Sequence, residues 1–128
     1  MARALWSHHV ELKAEAISAS GARRFVRLHL NAHGLPSMVD DVELVVSELA
    51  TNAVAHAGTP FLVSVARFGH LVVVEVTDHC PSVPRRVHAD LYDTAGRGVS
   101  IVERVGSGWG VRSLPGSGKT VWVSFEAR

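Results

Sequence analysis

Two β-rich runs stand almost back to back. They are Phe61-Leu62-Val63-Ser64-Val65-Ala66-Arg67 and Leu71-Val72-Val73-Val74-Glu75-Val76-Thr77-Asp78, with only Phe68-Gly69-His70 between them. A parallel pairing needs a crossover of roughly a dozen residues or more. So short a link makes a hairpin, and the two runs must pair antiparallel. The same reading holds near the end, where Trp109 to Leu114 and Lys119 to Phe125 flank Pro115-Gly116-Ser117-Gly118.

The remaining segments fit around these pairs. Residues 6–12 alternate weakly and read as an edge strand. Ser18 or Ser20 can cap a helix in which Ala22, Phe25, Leu28, His29 and Ala32 recur at helical spacing, with Gly34 as its stop. Pro36 then breaks the chain. Ser37-Met38-Val39-Asp40 has the form of a capping box, and the helix it predicts runs to Ala57. Val42, Val45, Val46, Leu49 and Ala53 form its apolar stripe, and Gly58 stands where a left-handed cap is needed. Residues 79–97 read as a long loop with a helical turn near Asp90-Leu91-Tyr92, and loops of that length usually carry function. Gly98 opens a short helix through Val105.

The order is β-α-α-β-β-loop-α-β-β. Consecutive strands without intervening helices predict an α+β fold, a two-layer α/β sandwich. Its sheet is mixed and mostly antiparallel, with the helices on one face. The order argues against a doubly wound dinucleotide fold. No repeat or composition break divides the chain, so residues 1–128 are expected to form a single domain.

Composition narrows the setting. The formal net charge is +1, which gives no electrostatic case for nucleic acid or an anionic membrane. A lone cysteine, Cys80, rules out an internal disulfide framework and suits a reducing cytoplasm. The N-terminal residues lack the apolar core of a signal peptide, and no apolar run has the ~18 residues of a spanning helix.

Four places can carry chemistry. Glu48 and Asn52 are four apart, so they share a helical face, and His56 extends the row by another turn. A carboxylate, an amide and an imidazole along the edge of a buried stripe supply an oxygen ligand for a hard cation and a base for a hydroxyl proton. The alternative is a solvated helix edge. Asp78 ends an apolar strand and can accept from an exocyclic amine, or simply form a turn. Gly96-Arg97-Gly98 precedes a helix whose free amides and positive dipole end suit phosphate, with Arg97 adding a charge. Gly118-Lys119-Thr120 looks like the tail of a P-loop. However, Ser113 stands where that motif needs glycine, and a strand follows where it needs a helix. The P-loop is rejected, and Thr120 at a strand entrance is left facing a nucleotide or a hairpin turn.

His29 and His33 share a helical face, but Leu30 replaces the glutamate of a zinc-protease motif, so no transition-metal site is expected. Arg23, Arg24 and Arg27 read as a solvated or partner-facing edge. Arg85 and Arg86 reach phosphate or solvent from the loop.

In sequence order, Glu48-x-x-x-Asn52-Ala53, Asp78 after a hairpin, Gly96-Arg97-Gly98 before a helix and Gly118-Lys119-Thr120 entering the last strand resemble the Bergerat-type ATP-binding domain. Histidine kinases, gyrase-type ATPases and bacterial anti-sigma serine kinases share that fold. The short chain, Ala22-Arg23-Arg24-Phe25-Val26 and Trp109-Gly110-Val111 resemble the stand-alone anti-sigma-factor kinase branch. The resemblance implies ATP and Mg2+ as cofactors. Glu48 would be the general base, Asn52 the magnesium ligand and Asp78 the adenine anchor. Gly96, Arg97 and Gly98 would belong to a phosphate-covering lid. Thr120 would line the adenine side, and His56 would lie near the phosphates. One box departs from the family: its D-x-G-x-G stands here as Asp78-His79-Cys80-Pro81-Ser82, whose side chains would crowd the base.

The implied function is an anti-sigma regulatory factor with protein serine kinase activity. Its partners would be a sigma factor and a small antagonist protein, and it would regulate transcription by partner switching. Homodimerisation through the first strand and helix is a further implication. The alternative is a non-catalytic, nucleotide-sensing or nucleotide-free module that sequesters a partner, which the altered box favours. A histidine-kinase catalytic fragment needs a phosphoacceptor-helix domain, and the chain opens directly on its first strand.

Overall fold

The computed structural model describes residues 3–79, 97–115 and 118–128. Among the described residues, five strands and three α-helices follow one another as β1 (Trp6–Leu12), α1 (Ser18–Ala32), α2 (Val39–Ala57), β2 (Phe61–Phe68), β3 (Leu71–Asp78), α3 (Arg97–Val105), β4 (Gly108–Ser113) and β5 (Lys119–Glu126). The sheet has the order β1-β2-β3-β5-β4, and every pairing among the described strands is antiparallel. The fold is therefore the expected α+β sandwich, with a sheet more uniformly antiparallel than the mixed one foreseen.

The hairpin logic holds closely. Phe68 pairs with Leu71, so Gly69 and His70 alone make the β2–β3 turn, and Gly69 takes a positive φ of 59°. Side chains alternate across the sheet. Phe61, Val63 and Val65 of β2, Val72, Val74 and Val76 of β3, and Val123 and Phe125 of β5 are buried under the helices. They meet Val42, Val45, Val46, Leu49, Ala50 and Ala53 of α2, Ala22, Val26 and Leu30 of α1, and Val102 of α3. Each fully buried Val, Leu or Phe contributes about 1.5–3 kcal/mol of transfer free energy. This shared core holds the two layers together.

α2 is the central helix. It packs against α1 and α3 and lies across β3. Gly58 ends it at φ 66°, the left-handed cap its sequence requires. Its start differs from expectation. Pro36–Met38 form a 3-10 turn, the helix begins at Val39, and no side chain caps it. The capping box at Ser37 does not form. Asp40 and Asp41 in the first turn supply the negative charge that the helix dipole favours.

α1 departs in two ways. Its buried row is Ala22-Val26-Leu30, while Leu28, expected on the stripe, is 64% exposed. Phe25 and His29 flank that row on the side of β1. There His29 stacks on His8 at 3.9 Å and Trp6 stacks on His33 at 4.0 Å. The Ser18 hydroxyl does not cap the helix but donates to the Lys13 carbonyl at 2.6 Å. The stop at Gly34 does hold, because Leu35 N–H donates to Leu30 O at 2.8 Å and Gly34 has φ 73°.

Candidate functional site

α2 carries two different flanks beside its buried face. On one, Arg27 grips Glu43 with two bonds of 2.6 and 3.0 Å, and Arg23 donates to Ser47 at 2.9 Å. These arginines tie α1 to α2, so the edge read as solvated or partner-facing is partly an internal clamp. Hydrogen bonding by Arg27 holds the Glu43 carboxyl below its usual 4.5. At 100° per residue, Glu48 and Asn52 fall on the opposite flank, away from α1. Both are half-buried, and His56, one turn on, is exposed near the helix end.

Asp78 closes β3 on the side of the sheet that α2 covers, because Val72, Val74 and Val76 alternate onto the same face. It is 3% exposed. The central helix carries half-buried Glu48 and Asn52 on one flank, and the central hairpin ends at buried Asp78 on the face that helix covers.

The register decides what stands opposite Asp78. β5 pairs with β3 so that Lys119 faces Asp78 and Thr120 faces Thr77. The Lys119 Nζ lies 3.6 Å from Asp78 Oδ2, and both side chains are nearly buried. Thr120 instead turns to the other face of the sheet, where its hydroxyl shares a 2.8 Å hydrogen bond with that of Thr77. Sequence reasoning treated Lys119 only as part of a rejected P-loop. The signal that finds Lys119 is the alternation of β5 combined with its pairing to β3.

The described part of α3 is Arg97–Val105. Gly96 lies outside the described residues. So do the Cys80-Pro81-Ser82 departure, Arg85, Arg86 and the helical turn expected near Leu91. Among the described residues, no helix is long and apolar enough to cross a membrane.

Chemically, the seam between α2 and the sheet offers an amide oxygen and a carboxylate on one helix flank, with an ion-paired carboxylate on the sheet beneath. That donor set suits a hard cation and a polar heterocycle. The outer row His9, Ser64, Glu75, Trp122 and Gly110 lies on the face away from the helices. There Arg112 meets Glu75 at 3.2 Å.

Comparison with known proteins agrees with this architecture. A stretch of 52 residues is 36% identical to the signal transduction histidine-protein kinase AfsQ2 of Streptomyces coelicolor, covering 41% of this chain and 10% of that protein. The solved structure of the RsbU and RsbW domains of Rv1364c from Mycobacterium tuberculosis superposes with a TM-score of 0.73 at 22% identity. That superposition covers 95% of this chain and 32% of the other, and it establishes the shared fold. The chain thus spans a minor part of both relatives. The model of the histidine kinase-like ATPase domain matches residues 12–125, nearly the whole chain. This chain belongs to the histidine kinase-like ATPase domain family.

Proposed function

We propose that the chain binds ATP with Mg2+ and acts as an anti-sigma regulatory factor. In this reading it phosphorylates a serine of a small antagonist protein and so regulates transcription by partner switching in the cytoplasm. The whole of residues 1–128 serves as a single domain. The observation that carries the reading is the shared flank of Glu48 and Asn52 on α2, set against the buried Asp78 on the sheet. The likeness to a chain containing an RsbW domain supports the regulatory half.

The residues fit the group they would hold. The Asn52 amide oxygen is a hard-cation ligand, and magnesium takes only one or two protein oxygens beside phosphates and waters. Asp78 accepts from the exocyclic amine of the base, His56 lies toward the phosphates, and the opening of α3 at Arg97 and Gly98, with Gly96, covers them. Bound Mg2+·ATP supplies the transferable phosphoryl group and the metal charge that offsets its oxygens. The Glu48 carboxylate takes the proton of the incoming serine hydroxyl, one helical turn from Asn52. Positioning and electrostatics then contribute most of the acceleration.

A second reading is a nucleotide-sensing or nucleotide-free module that sequesters its partner, favoured by Cys80 and Ser82 where the family has glycines. A pull-down from native lysate, with and without ATP, followed by labelled phosphate transfer to the captured proteins, separates the two. The kinase reading expects ATP-dependent capture and labelling that Glu48→Ala abolishes. Undiminished labelling by Glu48→Ala removes the role of Glu48, and capture without any labelling supports the sequestering module.

A further inference from the structure

The ion pair between Lys119 and Asp78 is the feature of the seam that the proposed function does not use. Its two side chains are 11% and 4% exposed, and the charges stand 3.6 Å apart. An isolated buried carboxylate is costly, so it neutralises or turns toward water. A buried partner of opposite charge removes that pressure and fixes where the carboxylate points. Two further contacts hold Lys119 in register. The Thr77–Thr120 hydroxyl bond at 2.8 Å locks the next residue pair. Gly118, at φ 89°, lets the chain pass against the backbone of Asp78 and His79.

We propose that Lys119 is the positioning residue for base recognition: it fixes where the Asp78 carboxylate points, and so sets the preference for a 6-amino over a 6-oxo purine. This rests on the nucleotide reading above. A 6-amino group donates to an anionic carboxylate. A 6-oxo group presents a second acceptor and is repelled. A carboxylate that has swung away from the base loses that distinction. Lys119 acts through Asp78 rather than on the base.

The test compares binding of ATP and inosine triphosphate, which differ at this group, by calorimetry with Mg2+. A hydrogen bond to a charged group predicts that the wild-type protein favours ATP by about tenfold or more. In Lys119→Met the ratio falls toward one, through weaker ATP binding with inosine triphosphate little changed. In an Asp78→Asn background, Lys119→Met changes the ratio no further. That double variant also removes both charges together, so it remains informative if the single variant unfolds. A purely structural lysine lowers both affinities equally, and that result, or an unchanged ratio, overturns the proposal. A wild-type protein that binds both nucleotides equally overturns Asp78 as the base anchor and the proposal with it. A wild-type protein that binds neither overturns the nucleotide reading itself.

Discussion

Gly118 runs so close against Asp78 that a Cβ added to it would collide with the Asp78 carbonyl oxygen and sit 2.9 Å from the Cα of His79. Its φ of 89° is also one that other residues rarely adopt. Gly118→Ala is therefore expected to cost about 1–3 kcal/mol from backbone strain alone. It should also push the start of β5 away from β3. Urea unfolding measures the first effect. Loss of ATP affinity beyond the loss of stability measures the second, since Lys119 is the next residue.

Gly110 has a comparable constraint on the opposite face. It pairs with Trp122 across β4 and β5, and an added Cβ would lie 2.8 Å from the indole ring. Gly110→Ala must displace that ring, and overpacking of this kind costs about 1–3 kcal/mol. Chemical denaturation should show the loss, and tryptophan emission should shift. The shift should vanish in a Trp122→Phe background.

The stack between β1 and α1 predicts acid sensitivity. Burial, then the proximity of His8 and His33, holds His29 below its usual 6.5. The unfolded chain therefore takes up this proton at higher pH than the folded one. Stability from this site is complete above 6.5 and declines as pH falls through that value toward the lowered folded value. Unfolding midpoints between about pH 5 and 8 should drop on the acid side, and His29→Gln should flatten the slope. The Glu43 carboxyl, held down by Arg27, acts in a separate window: its contribution is present above 4.5 and is lost as pH falls below it.

The packing of α1 can be tested with two leucines. Leu30 is fully buried, whereas Leu28 is 64% exposed. Leu30→Ala should cost about 2–5 kcal/mol, because it leaves a cavity in the shared core. Leu28→Ala should stay within about 0.5 kcal/mol. Equal costs would mean that the helix is rotated from the position described.

Much of this was legible in the residues. The three-residue link from Phe68 to His70 required a hairpin, and the Val42-Val45-Val46-Leu49-Ala53 period with Gly58 beyond it required α2. Glu48 and Asn52 lie on α2 and Asp78 ends β3, the elements in which the sequence placed them. What stayed hidden depends on longer-range geometry. In α1, both Ala22-Val26-Leu30 and the Phe25–His29 row have helical spacing, and only packing against the sheet selects the first. Ser37 has the residue type of a cap, yet Pro36 starts a 3-10 turn that moves the helix start past it. Whether Lys119 or Thr120 faces Asp78 is a matter of one residue of strand register, set by a turn whose geometry no motif records.

The central claim is that the flank of α2 bearing Asn52 holds Mg2+ and ATP. Calorimetric titration of the wild-type chain and of Asn52→Ala with ATP, with and without Mg2+, tests it most directly. The account predicts saturable binding that needs Mg2+ and weakens by about tenfold or more in the folded Asn52→Ala protein, the loss of one charge-assisted contact. Absence of heat at millimolar ATP, or equal affinity with Asn52 replaced and Mg2+ removed, would contradict it.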